Sequence, residues 1–331
     1  MPWRGELRKN NRRVRIQCQV TQEILRMLKP LDDVENTIAL IAAVLGTPEP
    51  EVRKRLIAEA AEIGTNVHSS MKTLEIPMYV TSEKLDTFYR ESDAFLYETT
   101  VWNCCAAKQR MREFVSSRLK HFRKNDAEVF CFGDGLGFDS TDLSRQGHRV
   151  RYFEPSLRCQ EYASQVFRDN GVEVTRLQSL DDIAPQSLDA VVCLDVLEHV
   201  PQPQTLVTRF HEWLKPDGLL FVHAPFWCIH WTRSTHLKEN RHLSGDLRRM
   251  YNANGFDAVD ASVFWDPILL QKSDHKPAFK ASAAAAMRIR LGQFLLTLGR
   301  WDGSVHTWIA RKTACAPKHW VKALRAGDDA S

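Results

Sequence analysis

The chain holds 331 residues, 44% hydrophobic and 26% charged, an ordinary globular balance with length for one large domain or two modest ones. Its formal charge of +4 is too small to argue for wholesale nucleic-acid binding. The eight cysteines form no Cys-x-x-Cys pair and Cys104 adjoins Cys105, which fits reduced thiols in the cytoplasm and argues against a disulfide framework or a zinc site.

No apolar run approaches about 18 residues, so no membrane span is expected, and the opening residues lack the apolar core of a signal peptide. Residues 1–20 form a basic arm, Arg4, Arg8, Lys9, Arg12, Arg13 and Arg15 against the single acid Glu6. Such an arm reads as a solvated terminus or as a contact for RNA or an acidic partner. Between 21 and 63 apolar residues recur at helical spacing: Ile24, Leu25 and Leu28 up to Pro30, then Val34, Ile38, Ile41 and Leu45 up to Gly46. A third helix is opened by Thr47-Pro-Glu-Pro-Glu, with its cap, early prolines and early acids, and runs to Gly64. The stretch 64–92 is mixed. A helix is expected from about Asp93 to Lys120, with Glu98-Thr-Thr-Val-Trp102 in its first half, where it can pack on the core or cover a pocket.

The stretch Glu128-Val-Phe-Cys-Phe-Gly-Asp-Gly-Leu-Gly-Phe-Asp139 organises the rest of the chain. An apolar strand leads into glycines at alternate positions, Gly133, Gly135 and Gly137, and then into Asp139-Ser-Thr-Asp, a helix start. Strand, glycine turn and helix N-terminus make a nucleotide cradle, because glycine tolerates positive φ and lets a ligand approach the backbone. Phe138 stands where a dinucleotide fingerprint has its third glycine, and no Gly-Lys-Ser/Thr follows, so a pyrophosphate site is disfavoured and a phosphate loop excluded.

From here strands and helices alternate. Strands are expected at 128–133, 149–153, 172–177, 190–194, 219–223 and 257–264, with a last one at His306–Arg311. Helices are expected near 139–146, 157–170, 203–213 and 244–254, and an Ala-rich helix with a basic face, 281–299, between the last two strands. The pattern predicts an α/β fold: a doubly wound, mostly parallel seven-stranded sheet with an N-terminal helical extension. The expected divisions are 1–92 for the arm and helical region, 93–315 for the sheet domain and 316–331 for a tail.

Ligands bind such sheets beyond the carboxyl ends of the strands. Glu154 ends the second strand, where a carboxylate can accept both hydroxyls of a ribose or simply sit in an exposed turn before Pro155. Gln178-Ser-Leu-Asp-Asp182 after the third strand offers polar and apolar groups to an adenine. Asp195-x-x-Glu198-His199 after the fourth shares one helical face, and with His242, or His236 in reserve, it can hold a hard divalent ion or simply start a helix without one. No metal is expected. Phe226-Trp-Cys-Ile-His-Trp231 follows the fifth strand; its aromatic walls suit an apolar acceptor, and His199 or His230 is the candidate general base.

Taken together, the glycine turn, Glu154, Leu194-Asp-Val-Leu-Glu-His-Val-Pro and Leu214-Lys-Pro-Asp-Gly resemble a class I S-adenosylmethionine-dependent methyltransferase, in the group of the ubiquinone-biosynthesis O-methyltransferases. The resemblance covers about 128–311. It implies S-adenosyl-L-methionine as cofactor. Gly133, Gly135 and Gly137 would then pass under the methionine part, Glu154 would hold the ribose, Ser179 and Leu180 would flank the adenine, and Asp195 would line the pocket near the sulfonium. The family places an acid two residues before the first glycine; this chain has Cys131 there, with Asp134 inside the turn as a partial substitute. Asp195-Val-Leu-Glu replaces the Asn/Asp-Pro-Pro-aromatic turn of base and amide methylation. The expected function is methyl transfer to an oxygen of a small molecule in the cytoplasm. Two other readings stand beside it: metal-assisted 2′-O-methylation of an RNA ribose, from the basic arm and the Asp195–Glu198–His199 spacing, and a non-catalytic binding protein, from Cys131 and the long helical prefix.

Overall fold

The computed structural model describes residues 28–122, 126–262, 267–273 and 280–327. The basic arm and the helical run expected around Ile24 and Leu25 lie outside the described residues.

The prefix is helical, as its periodicity predicts. Helix α1 (Val34–Leu45) is capped by Asp33, whose carboxylate accepts from the backbone N–H groups of Glu35 and Asn36, and it stops at Gly46 with φ 66°. Helices α2 (Glu49–Ala61), α3 (Thr65–Thr73) and α4 (Glu83–Glu91) follow. The single helix expected from Asp93 to Lys120 is two: α5 (Ala94–Cys104) and α6 (Ala106–Phe122), broken where Cys105 turns extended, φ −70° and ψ 140°. The break frees α5 to turn toward the glycine loop while α6 runs along the sheet.

Seven strands form one sheet in the order β3-β2-β1-β4-β5-β7-β6. They are β1 (Glu128–Phe132), β2 (Arg149–Phe153), β3 (Val174–Arg176), β4 (Leu188–Leu194), β5 (Leu214–His223), β6 (Phe256–Ala261) and β7 (Ile268–Lys272). β1 to β5 are parallel to their neighbours, whereas β7 runs antiparallel to both β5 and β6. The helices between them are α7 (Phe138–Arg145), α8 (Leu157–Asp169), α9 (Pro203–Trp213) and the short α10 (Leu247–Met250). After the sheet come α11 (Ala283–Leu298), α12 (Ser304–Thr313) and α13 (Lys318–Ala326).

Two expectations are corrected. His306–Arg311 is not the last strand but part of α12; Val305, Trp308 and Ile309 fall at helical spacing. The seventh strand is Ile268–Lys272, so the Ala-rich helix α11 follows the sheet instead of interrupting it. The helix expected over 244–254 is likewise only α10, flanked by 3-10 turns.

Alternation along the strands sorts the core into two layers. Phe130, Val191, Leu220 and Val222 face α9, packed with Phe210 and Trp213. Val129, Cys131, Val192 and Phe221 face α6, packed with Met111, Val115 and Leu119. Each such side chain, fully buried, contributes roughly 1.5–3 kcal/mol. A third cluster joins α1, α2, α5, α8 and α13 through Ile38, Leu56, Tyr97, Tyr162, Trp320 and Leu324. The strand order reverses between β1 and β4, and the crevice beyond their carboxyl ends is where such sheets bind ligands.

Candidate functional site

The crevice begins with the glycine turn. Gly133, Gly135 and Gly137 have φ of 69°, 55° and 77°, a conformation that glycine adopts without strain. A Cβ at Gly133 would lie 2.6 Å from Val196 Cγ2, and one at Gly137 would lie 2.6 Å from the Phe167 ring. The first glycine thus keeps β1 close to the loop after β4, and the third lets α7 close on α8. Three bonds brace the turn: the Gly133 N–H donates to the Phe153 carbonyl (2.8 Å), the Gly137 N–H to the Asp134 carbonyl (3.1 Å) and Tyr152 Oη to the Gly135 carbonyl (2.6 Å).

Asp134 engages the start of α7, accepting from the N–H groups of Asp139 (3.1 Å) and Ser140 (2.7 Å). Burial, reinforced by Asp139, pushes its carboxyl up to about 7. Cys131, which stands in place of an acid, is a buried core thiol that burial pushes well up.

Glu154, at the end of β2, reaches back to the turn. Its Oε2 accepts from the Gly135 N–H (3.0 Å) and its Oε1 from the Ser156 N–H (2.9 Å). Burial outweighs these bonds and raises the carboxyl to about 7. Each oxygen has a second acceptor site left. Ser179 opens the 3-10 turn 180–182, accepting from the Asp181 N–H, and Leu180 rests half-buried on the cluster that also carries Phe132, Phe153 and Val196. These side chains give the crevice an apolar wall beside the Glu154 carboxylate.

Asp195 follows β4 with φ 62° and is held from three sides. His223 Nδ1 lies 2.5 Å from Oδ1, Trp102 Nε1 donates to Oδ2 (2.9 Å) and Lys108 Nζ is 3.5 Å away. Burial alone would raise its pKa, but His223, Lys108 and Trp102 outweigh that and keep it below the usual carboxylate range. Lys108 also binds Asp139 at 3.0 Å, and Arg112 Nε donates to Asp139 (3.0 Å). A buried charge chain therefore links the helix behind the turn to the loop in front of it.

The other wall is α5. Thr99 Cγ2 lies 3.6 Å from where a Gly135 side chain would begin, and Trp102 reaches Asp195. Glu98, on the same helix, lies 3.5 Å from Arg233 Nη1 and is raised to about 7 by burial, against the pull of Arg233. Sequence reasoning named Glu98 and Trp102 only within a segment that can cover a pocket, and did not select Lys108, Arg233 or His223. The spacing of Glu98 and Trp102 one helical turn apart, just ahead of the cradle, was the only local signal.

Next to this wall lies a histidine cluster. The ligand atoms of Glu198, His199 and His236 lie within 4.8 Å of one another, a set that could hold a metal ion. The two rings meet edge to face at 4.7 Å. Asp195 is not with them, being engaged as described. His242 is also apart, with Nδ1 2.6 Å from the Glu239 carbonyl. His199 Nδ1 sits 2.9 Å from Tyr89 Oη and 3.2 Å from the Thr235 carbonyl. A carbonyl only accepts, so Nδ1 carries the hydrogen and Nε2 the lone pair. Burial pushes the ring down to about 4. His230 is placed elsewhere. It lines a surface groove between Ala60–Ile63 and Thr307–Cys315, with Nδ1 2.9 Å from Thr232 Oγ1.

Residues 130–222 match a family described as a methyltransferase domain. The chain is 35% identical over 114 residues to a ubiquinone biosynthesis O-methyltransferase of Xanthomonas axonopodis, covering 33% of this chain and 46% of that protein. It is 33% identical over 159 residues to the enzyme of the same name from Rickettsia conorii, covering 42% and 55%. The chain thus spans about half the length of the curated relatives it matches. Among solved structures it is similar to a 1,6-didemethyltoxoflavin-N1-methyltransferase of Burkholderia thailandensis, with a TM-score of 0.45 and 17% identity over 59% of this chain and 92% of that one.

Proposed function

We propose that this chain, whose central segment 130–222 matches a methyltransferase domain, is an S-adenosylmethionine-dependent methyltransferase acting on an oxygen of a small molecule. The observation that carries the reading is the pairing of the glycine turn with Glu154, two elements far apart in function unless one nucleoside spans them. The relatives named for O-methylation support the choice of oxygen.

The residues present fit the cofactor. Gly133 lies against Val196 where a Cβ would collide, the Glu154 carboxylate keeps an acceptor site on each oxygen for ribose hydroxyls, and the wall of Phe153, Leu180 and Val196 suits an adenine. Gly133, Gly135, Glu154, Ser179, Leu180 and Asp195 would hold it. When bound, S-adenosylmethionine supplies an electrophilic methyl group.

The protein's share is positioning, water exclusion and proton removal. Asp195, fixed by His223, Trp102 and Lys108, gives the crevice an acceptor that does not swing. Helix α5 covers the turn with Thr99 and Trp102 and keeps water from the reacting groups. His199, neutral at physiological pH, takes the acceptor's proton on Nε2 while its Nδ1–H stays on Tyr89 and Thr235. Glu98 and Arg233 border the same space and orient a polar acceptor.

Isothermal titration with S-adenosylhomocysteine tests the reading. Saturable binding that Glu154→Ala weakens is expected; no heat at high micromolar concentration would overturn it.

A further inference from the structure

We propose that α11 and α12 form a docking surface for an anionic lipid bilayer. Helix α11 is apolar on two opposite faces. Ala285, Ile289 and Gly292 are buried on the inner side. Met287, Leu291, Phe294 and Leu298 are 68%, 50%, 62% and 46% exposed on the outer side. Their spacing of four, three and four residues keeps the outer four within about 60° of one another.

The exposed stripe continues past Gly299. Trp301 is 85% exposed, Val305 61%, Trp308 64% and Ile309 42%. α12 is tied to the end of α11 by His306 Nε2, 2.9 Å from the Leu295 carbonyl, and by the Trp227 ring 5.2 Å from His306. Twelve large hydrophobic residues are exposed among the described residues, and eight of them fall between 287 and 309. Singly exposed apolar residues need no explanation, but this concentration marks an interaction surface.

Charge identifies the occupant. Residues 281–331 carry eight cations, Arg288, Arg290, Arg300, Arg311, Lys312, Lys318, Lys322 and Arg325, against Asp302, Asp328 and Asp329, for a net +5. The other 280 residues therefore sum to −1, since the whole chain is +4. Arg288, Arg300 and Arg311 pair with Asp260, Asp246 and Glu62, while Arg290 and Lys312 stand exposed on the same two helices. Apolar side chains with two tryptophans and these two cations suit the headgroup region of an anionic leaflet, where the apolar stripe enters and the cations meet phosphates. A second copy of this chain fits poorly, because a two-fold interface would set the same cationic border against itself. Among the described residues no helix is long and apolar enough to cross a membrane, so the helices would lie on the surface.

The test is co-sedimentation of the full chain with vesicles of equimolar phosphatidylcholine and phosphatidylglycerol, and with phosphatidylcholine alone. Binding to the mixed vesicles, weaker binding to the neutral ones and release by salt are expected. A triple variant, Leu291→Gln with Phe294→Gln and Trp308→Gln, should weaken partitioning about tenfold or more while its melting temperature stays unchanged, since all three side chains are exposed. No binding to mixed vesicles, equal binding to neutral ones, or a triple variant that binds like the parent would each overturn the proposal. So would a dimer in sedimentation equilibrium that the triple variant dissolves, which would give the face to a second copy, or retention on an acidic protein column that salt-free vesicles fail to compete away.

Discussion

The Oε2 of Glu154 accepts a hydrogen bond from the Gly135 N–H at 3.0 Å, joining the end of one strand to the turn after its neighbour across 19 residues. The bond fixes a carboxylate that burial raises to about 7 beside the turn where, on the proposed reading, ribose hydroxyls would join the backbone donors.

Ligand binding should therefore be linked to a proton. Burial raises the Glu154 pKa from 4.5 to about 7, and ribose hydroxyls donate more strongly to the ionised form, which offers two charged oxygens. S-adenosylhomocysteine affinity should fall as pH drops below about 7, with a proton released on binding. Titrations in two buffers of different ionisation enthalpy would show the release. Glu154→Gln should remove it and cost about tenfold to a hundredfold in affinity, the range for a hydrogen bond to a charged group.

Stability without ligand should run the other way. Glu98, Asp134 and Glu154 all sit near 7, above their ordinary values of 4.5, 3.8 and 4.5. Between those values and about 7 the folded chain holds more protons than the unfolded one, so their contribution is complete at the acidic end of that window and is lost as pH rises through about 7. Buried His199, pushed down to about 4, acts in the opposite sense up to about 6.5, so the melting temperature of the ligand-free protein should decline only above about 6.5. Asp134→Asn, which keeps an acceptor for the Ser140 N–H, should flatten the decline.

The glycines separate two effects. Gly171 has φ 63° with nothing near its missing Cβ, so Gly171→Ala should cost only the left-handed conformation, about 1–2 kcal/mol. Gly137→Ala carries the same conformational cost plus a 2.6 Å overlap with Phe167, and should cost about 1–3 kcal/mol more. Chemical denaturation of both variants measures the difference.

Lys108 lies buried between Asp139 at 3.0 Å and Asp195 at 3.5 Å. Lys108→Met leaves the buried Asp139 and the part-exposed Asp195 each short of a partner and should destabilise by about 3 kcal/mol. The loss should shrink on acidification, because Asp139, held low mainly by Lys108 and Arg112 against burial, then takes a proton more readily.

His199→Asn should leave the fold and S-adenosylhomocysteine binding in place and cut turnover with an accepted substrate by about a hundredfold or more, the contribution of a positioned base. His230→Asn, at the surface groove, should change turnover far less. Single-turnover kinetics with equal cofactor loading distinguishes the two.

Much of the fold was legible because its signals are local. β1, β4 and the apolar part of β5 announce themselves as short apolar runs closed by turn residues, β2 by Val150, Tyr152 and Phe153 ahead of Glu154-Pro155, and Gly46 and Ser156 mark helix ends in their own neighbourhood. The seventh strand was not legible: Ile268-Leu-Leu is short, while Val305, Trp308 and Ile309 offered a more conspicuous apolar set that is helical. In the crevice, the glycine turn and Glu154 are written in contiguous motifs. Trp102 and Asp195 meet from positions 93 residues apart, and Lys108 joins Asp139 to Asp195 only once α6 lies on the sheet. His236 and not His242 joins Glu198 and His199 because Leu237 donates to the Glu198 carbonyl and brings its neighbour inward, a bond that spacing alone does not show.

The third apolar cluster has a consequence for the limits of the chain. Ile38 and Leu56 from one end, and Trp320 and Leu324 from the other, insert into the same interior as Tyr97 and Tyr162. Tyr97 belongs to the helix that covers the glycine turn. A protease nick that released either terminus would therefore strip support from that cover, and damage at the margins would be felt first as lost grip on the ligand.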